Sequence, residues 1–212
     1  VTMVARPQDV AEVKLACAVK VDTLELVIDD SWARDSGPTF VRASDGARAG
    51  VQWQFNAWGN KYHPFEDDAK LATQIIEGVK MRVYRAPLVC EGGAIHTDGE
   101  GTLLVTEECL LSPVRARNPG LTRDGYEAVF RDALGIRQTI WLGEGCVGDD
   151  THGHVDDIAR FAAPGVVVLA YEEDPADENH RRSVDNYERL QLAGGDDGAL
   201  RVVKLPYPRP VM

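Results

Sequence analysis

The stretch VCEGGAIHTDGEGTLLVT, residues 89–106, sets an acid, two glycines, a histidine and more acids just ahead of a run of apolar and β-branched residues. The segment DGEGT (98–102) within it suits a hairpin turn, because Asp-Gly and Gly tolerate positive φ. The same design recurs in DDSWARDSGPTFV (29–41) and GDDTHGHVDDIARF (148–161). Each time, acids or histidines precede a strand-like segment. Three such segments at near-regular spacing argue for a repeated structural unit rather than one continuous sheet.

The flanking sequence supports that reading. Residues 24–28, 38–41 and 49–55 read as strands, and FEDDAKLATQIIEGVK (65–80) reads as a helix. Its first turn is acidic, as the helix dipole favours, and Leu71, Ile75, Ile76 and Val79 form its apolar stripe. The order then repeats. MRVYRA (81–86) and residues 94–105 read as strands, and TRDGYEAVFRDALG (122–135) as a helix with Thr122 as N-cap and Gly135 just past its end. RQTIWL (137–142), DIARFA (157–162) and GVVVLAY (165–171) follow as strands, then a helix over 177–195 and a last strand, LRVVKL. The unit is two strands, a helix and a strand. No GxGxxG or GxxxxGK[ST] nucleotide fingerprint is present.

Composition narrows the partners. The 212 residues carry 34 acids against 23 bases, a formal net charge of −11, which disfavours nucleic acid and suits a cationic small molecule. No run of about 18 apolar residues suggests a membrane span. The cysteines, Cys17, Cys90, Cys109 and Cys146, are scattered and show no CxxC pair, which fits reduced thiols in a cytoplasmic protein. The start on Val1 and the close on VVKLPYPRPVM read as the ends of an internal piece, so residues 1–212 are expected to form a single, incomplete domain.

Four residues stand out chemically. His154 and Asp156, two apart, are expected to share one face of a strand, with His152 able to join them. A carboxylate beside an imidazole fixes its tautomer and suits proton transfer. HxHxD also begins a zinc-binding pattern, but Asp157 stands where that pattern needs a further histidine, so no metal is expected. Asp35 precedes Ser36-Gly37-Pro38, a turn that would expose its carboxylate at a strand mouth, and Trp32 lies near it. Glu91 precedes Gly92-Gly93, which leave room for a ligand or another backbone. Three carboxylates and a histidine suit a planar cation with several N–H donors, such as a guanidinium.

These residues, with FNAWGNKY (55–62), EGGAIHTDGEGTLLVTEECLL (91–111) and RNPGLT (117–122), resemble the agmatine deiminases, a branch of the bacterial-type peptidylarginine deiminase family within the guanidine-modifying (pentein) superfamily. The resemblance implies an α/β-propeller of ββαβ units, about three of its five being present here. It implies hydrolysis of agmatine to N-carbamoylputrescine and ammonia, a step of polyamine and putrescine biosynthesis, with no cofactor and no metal. It assigns Asp35 and Asp156 to the guanidinium nitrogens and His154 to proton transfer. Glu91 would help bind or polarise the guanidinium, and Trp32 would line the pocket. The family's nucleophilic cysteine lies in a glycine-rich segment near the C-terminus, and none of the four cysteines here has that context. The chain alone is therefore expected not to turn over agmatine. A guanidinium-binding pseudoenzyme, and a deiminase of arginine or peptidyl-arginine, remain alternatives, and a homo-oligomer is left open.

Overall fold

The structure is a computed structural model that describes residues 1–17, 19–194 and 200–208. The chain divides into two compact units, Val1–Pro87 and Leu88–Met212.

In the first unit, β1 (Thr2–Ala5), α1 (Val10–Ala16) and β2 (Asp22–Glu25) form a βαβ element with parallel strands. Neither β1 nor α1 is foreseen from sequence: the strand is only four residues long and the helix has no buried residue to mark a stripe. The strand expected at 24–28 starts two residues earlier, at Asp22, as its pairing with Thr2 dictates. Next come the one-turn helix α2 (Ala33–Ser36), the antiparallel pair β3 (Thr39–Arg42) and β4 (Arg48–Gln54), a short turn α3 (Ala57–Asn60), helix α4 (Asp68–Gly78) and β5 (Arg82–Val89). The sheet order is β3-β4-β5. α4 buries Leu71 and Ile76 of the stripe read from its periodicity, together with Ala72; Ile75 is half-buried, and Val79 is exposed because the helix ends at Gly78. Gly50 of β4 lets it approach, because a Cβ there would lie 2.3 Å from a side-chain carbon of Ile76.

The second unit repeats this plan twice. Strand β6 (His96–Thr97), β7 (Thr102–Thr106), the short helix α5 (Glu107–Leu111), α6 (Arg123–Leu134) and β8 (Gln138–Leu142) form one unit. β9 (Ala159–Ala163), β10 (Val166–Tyr171), α7 (Glu178–Ala193) and β11 (Arg201–Pro206) form the next. In both, the first two strands are antiparallel and the second and third parallel. The DGEGT turn is a hairpin, with Asp98 Oδ1 accepting the N–H groups of Glu100 and Thr102. Thr122 caps α6 by accepting the Gly125 N–H, and Gly135 closes it in the left-handed region. Among the described residues there are thus three ββαβ sheets and one βαβ element, the α/β pentein plan. No helix is long and apolar enough to cross a membrane among the described residues.

Candidate active site

In the second unit the sequence builds a buried ionic cluster. β5 delivers the chain to Glu91, where a 3₁₀ turn over Gly92–Ala94 begins and the Ala94 N–H closes on the Glu91 carbonyl. Glu91 is thereby turned inward, and its side chain is fully buried. Burying a lone carboxylate is costly, so it needs a partner. Arg117 supplies it, with an equally buried guanidinium whose Nε donates to both Glu91 oxygens at 3.0 and 3.3 Å.

His154 stands against the same carboxylate. Its Nε2 lies 3.5 Å from Glu91 Oε2, and its Nδ1 lies 3.8 Å from Asp156 Oδ1. The imidazole therefore has one carboxylate facing each ring nitrogen, and it is itself only 2% exposed. Such a ring can carry a proton and pass it along a fixed line.

The pairing of His154 with Asp156 was expected, but a strand does not make it. His154 is an extended residue that leads into a 3₁₀ turn over Val155–Asp157. Val155 enters the apolar core with Ile158, Leu104 and Leu169, and that burial bends the backbone so that the residues on either side of Val155 meet. His152 does not join them. Its φ of 65° turns it away, and its Nε2 lies 3.3 Å from Ser112 Oγ.

Several groups hold the loop before His154. Asp149 accepts the N–H groups of Thr151, Gly153 and His154, and the Gly153 carbonyl accepts a hydrogen bond from Thr106. Gly153 has a φ of +89° and stands against Glu108 and Gly145, with no room for a side chain.

Charge follows this geometry. Burial works to raise the Glu91 pKa, but the hydrogen bond from His154 and the charge of Arg117 outweigh it and hold the carboxyl below its usual range. Burial likewise works against the charge on Arg117, and Glu91 more than offsets it.

Asp35 belongs to the first unit, Val1–Pro87. It lies in the helical turn α2, not in an exposed turn at a strand mouth, and it is buried. Trp58 Nε1 donates to its Oδ2 at 3.0 Å. Trp58 sits in α3, where Ala57, Trp58 and Asn60 all have positive φ. L-residues adopt this conformation at a cost of roughly 1–2 kcal/mol each. Asn56 offsets part of it by accepting the Gly59 N–H, and Phe55 and Tyr62 pack edge-on against the Trp58 ring. Trp32, at the start of α2, is 54% exposed, with its indole N–H on Asp30 and its ring edge-on to Trp58.

Sequence reasoning did not single out Arg117, Trp58 or Cys109. Arg117 and Trp58 lie inside the quoted motifs RNPGLT and FNAWGNKY, so the resemblance to the family was the signal that could have found them. Cys109 Sγ, a Glu91 oxygen and a His154 ring nitrogen lie within 4.8 Å of one another, the one such group among the described residues. The donor set would suit zinc. Arg117 already bonds both Glu91 oxygens, so a dication would have to displace or face a guanidinium, and the residues present do not fit a metal.

The whole chain, residues 1–212, matches the family model described as Porphyromonas-type peptidyl-arginine deiminase. The chain belongs to this family. It is 42% identical over 197 residues to the agmatine deiminase of Pseudomonas fluorescens, covering 90% of this chain and 53% of that protein. Its fold superposes on an agmatine deiminase of Enterococcus faecalis with a TM-score of 0.91 at 37% identity, over 99% of this chain and 58% of that one. A substrate-bound agmatine deiminase of C. jejuni carrying a Cys-to-Ser substitution matches with a TM-score of 0.85 at 28% identity, over 100% of this chain and 61% of that one. The chain thus spans about half the length of the curated relatives it matches.

Proposed function

We propose that the protein carrying this chain hydrolyses the guanidinium group of agmatine, giving N-carbamoylputrescine and ammonia. The observation that carries this reading is the His154 imidazole set between two carboxylates, Glu91 and Asp156, inside a family member. Asp156 and Asp35 are read as acceptors for the guanidinium N–H groups, Glu91 as the carboxylate that polarises it, and Trp32 as part of the pocket lining. Carboxylates suit this cation because its planar fork presents fixed N–H donors. A thiolate adds to the guanidinium carbon, ammonia leaves with a proton delivered through His154, and water then cleaves the thiouronium to release the carbamoyl product and the thiol. None of Cys17, Cys90, Cys109 and Cys146 is assigned as that thiolate, so the 212 residues by themselves are read as inactive. Cys17, Cys90, Cys109 and Cys146 form no disulfide, which fits a reducing cytoplasm, and a role in polyamine synthesis belongs to the same reading.

The test is product formation by the full-length protein offered agmatine, free arginine and a peptidyl-arginine. Agmatine should be the substrate turned over, with about 10²–10⁴-fold less activity in His154→Ala, as expected for loss of a general acid–base. A folded full-length protein that releases no ammonia from agmatine would refute the reading.

A further inference from the structure

Arg117 does more than neutralise Glu91. Its Nη1 donates to the Arg115 carbonyl at 3.0 Å and its Nη2 to the Thr151 carbonyl at 2.6 Å, while Nε serves Glu91. One guanidinium therefore joins Glu91 to the loop that carries His154, three residues beyond Thr151. The next residue reinforces the clamp. Asn118 accepts the Val89 N–H at 2.9 Å and donates to the Val89 carbonyl at 2.8 Å, fixing the strand end that leads to Glu91.

We infer that Arg117 is a positioning residue of the deiminase site, holding Glu91 as a carboxylate and setting its distance to His154 through Thr151. The groups that act on Glu91 are Arg117 and His154, with Asp156 on the far side of the imidazole; the Cys109 thiol lies within 4.8 Å of Glu91 and His154, the Cys90 and Cys109 thiols bear on Arg117, and Tyr126 feels Glu91 and both thiols. Arg117 is the permanent cation of this set. With it in place, a proton taken up by the Glu91–His154 pair resides on the imidazole, where the proposed reaction needs it. Without it, the buried carboxylate competes for that proton. Lysine could keep the charge but not the three-way fork, because an ammonium on a flexible stem has no fixed planar donor geometry.

The inference rests on the deiminase reading for its kinetic arm only. In the full-length protein, infrared difference spectra at neutral pH would be compared for wild type, Arg117→Met, Arg117→Lys and the double variant Arg117→Met with Glu91→Gln. Arg117→Met should gain a protonated-carboxyl C=O band that the double variant lacks, and wild type and Arg117→Lys should show none. In kinetics, the acidic limb of kcat/KM should move up by about one pH unit or more in Arg117→Met. It should stay in place in Arg117→Lys, whose kcat falls about tenfold with little change in KM as the fork to Thr151 is lost. A protonated Glu91 band in wild type, or an Arg117→Met variant with neither a new band nor a shifted limb, overturns the inference. If Arg117→Met does not fold, Arg117→Lys decides, and wild-type kcat, KM and pH profile in that variant overturn it. Should no guanidinium substrate be turned over while the carboxyl band responds as stated, the deiminase reading fails and the role of Arg117 stands.

Discussion

Replacing Gly153 with alanine tests whether the loop before His154 is as tightly fixed as its contacts indicate. A Cβ on Gly153 would lie 2.8 Å from Glu108 Cβ and 2.9 Å from Glu108 Cγ. Glu108 cannot swing aside freely, because its carboxylate accepts the Gly145 N–H at 2.7 Å. Gly145 gives no slack, since a Cβ built on it would stand 2.6 Å from the Gly153 Cα. Forcing a methyl into such a contact costs about 1–3 kcal/mol. The positive φ adds roughly 1–2 kcal/mol for any L-residue. Gly148, in the same loop, provides the control: its φ is +84° but nothing lies within 4 Å of a Cβ there. Gly148→Ala should therefore cost only the backbone part. The expected loss is about 2–5 kcal/mol for Gly153→Ala, with each kcal/mol lowering Tm by about 2–4 °C in a chain of this size. Thermal unfolding followed by circular dichroism, with hydrogen exchange at the 149–158 amides, gives both values. If the two alanine variants agree within about 0.5 kcal/mol, the Glu108 contact relaxes freely and the loop is not the rigid mount for His154 argued above.

Two further outcomes follow from the same physics. Trp58→Phe keeps the aromatic packing but removes the N–H that Asp35 accepts, and it should lower the stability of the first unit by about 1–3 kcal/mol in urea denaturation; a loss under about 0.3 kcal/mol would mean that the bond carries no weight. Asp157 has its carboxyl pushed up to about 6 from 3.8, first by burial and then by the charge of Asp149, so the native state holds this proton more tightly than the unfolded chain. Stability from this group is full below the unfolded pKa and declines as pH rises through about 6, so Asp157→Asn should match wild type near pH 3 and exceed it at pH 7. Because the residue as a whole is exposed and its carboxyl only partly desolvated, solvent screening keeps the gain below about 1 kcal/mol, and equal differences at both pH values would contradict the argument.

Much of this protein was legible in one dimension. The Leu71 and Ile76 positions of the stripe read on α4, the Thr122 cap and Gly135 stop of α6, and the DGEGT hairpin are local features. Propensity, periodicity and turn chemistry act there over a few residues, and the structure agrees with each. The recurrence of ββαβ was therefore countable along the chain, and with it the family. Residues whose state depends on distant partners were not legible. His154 and Asp156 meet through a 3₁₀ turn that the burial of Val155 sets, not through strand alternation. Asp35 looked like an exposed turn acid and is buried beneath Trp58, 23 residues away in sequence. Arg117 was not singled out in an acidic chain, yet its side chain is wholly enclosed and binds Glu91, 26 residues distant, and Thr151, 34 residues distant. The sequence by itself determined the repeated unit and the kinds of groups available. Which charges would be removed from water, and which partner each would then require, was decided only when the tertiary structure brought those groups together, because desolvation and pairing of a charge depend on what surrounds it in space.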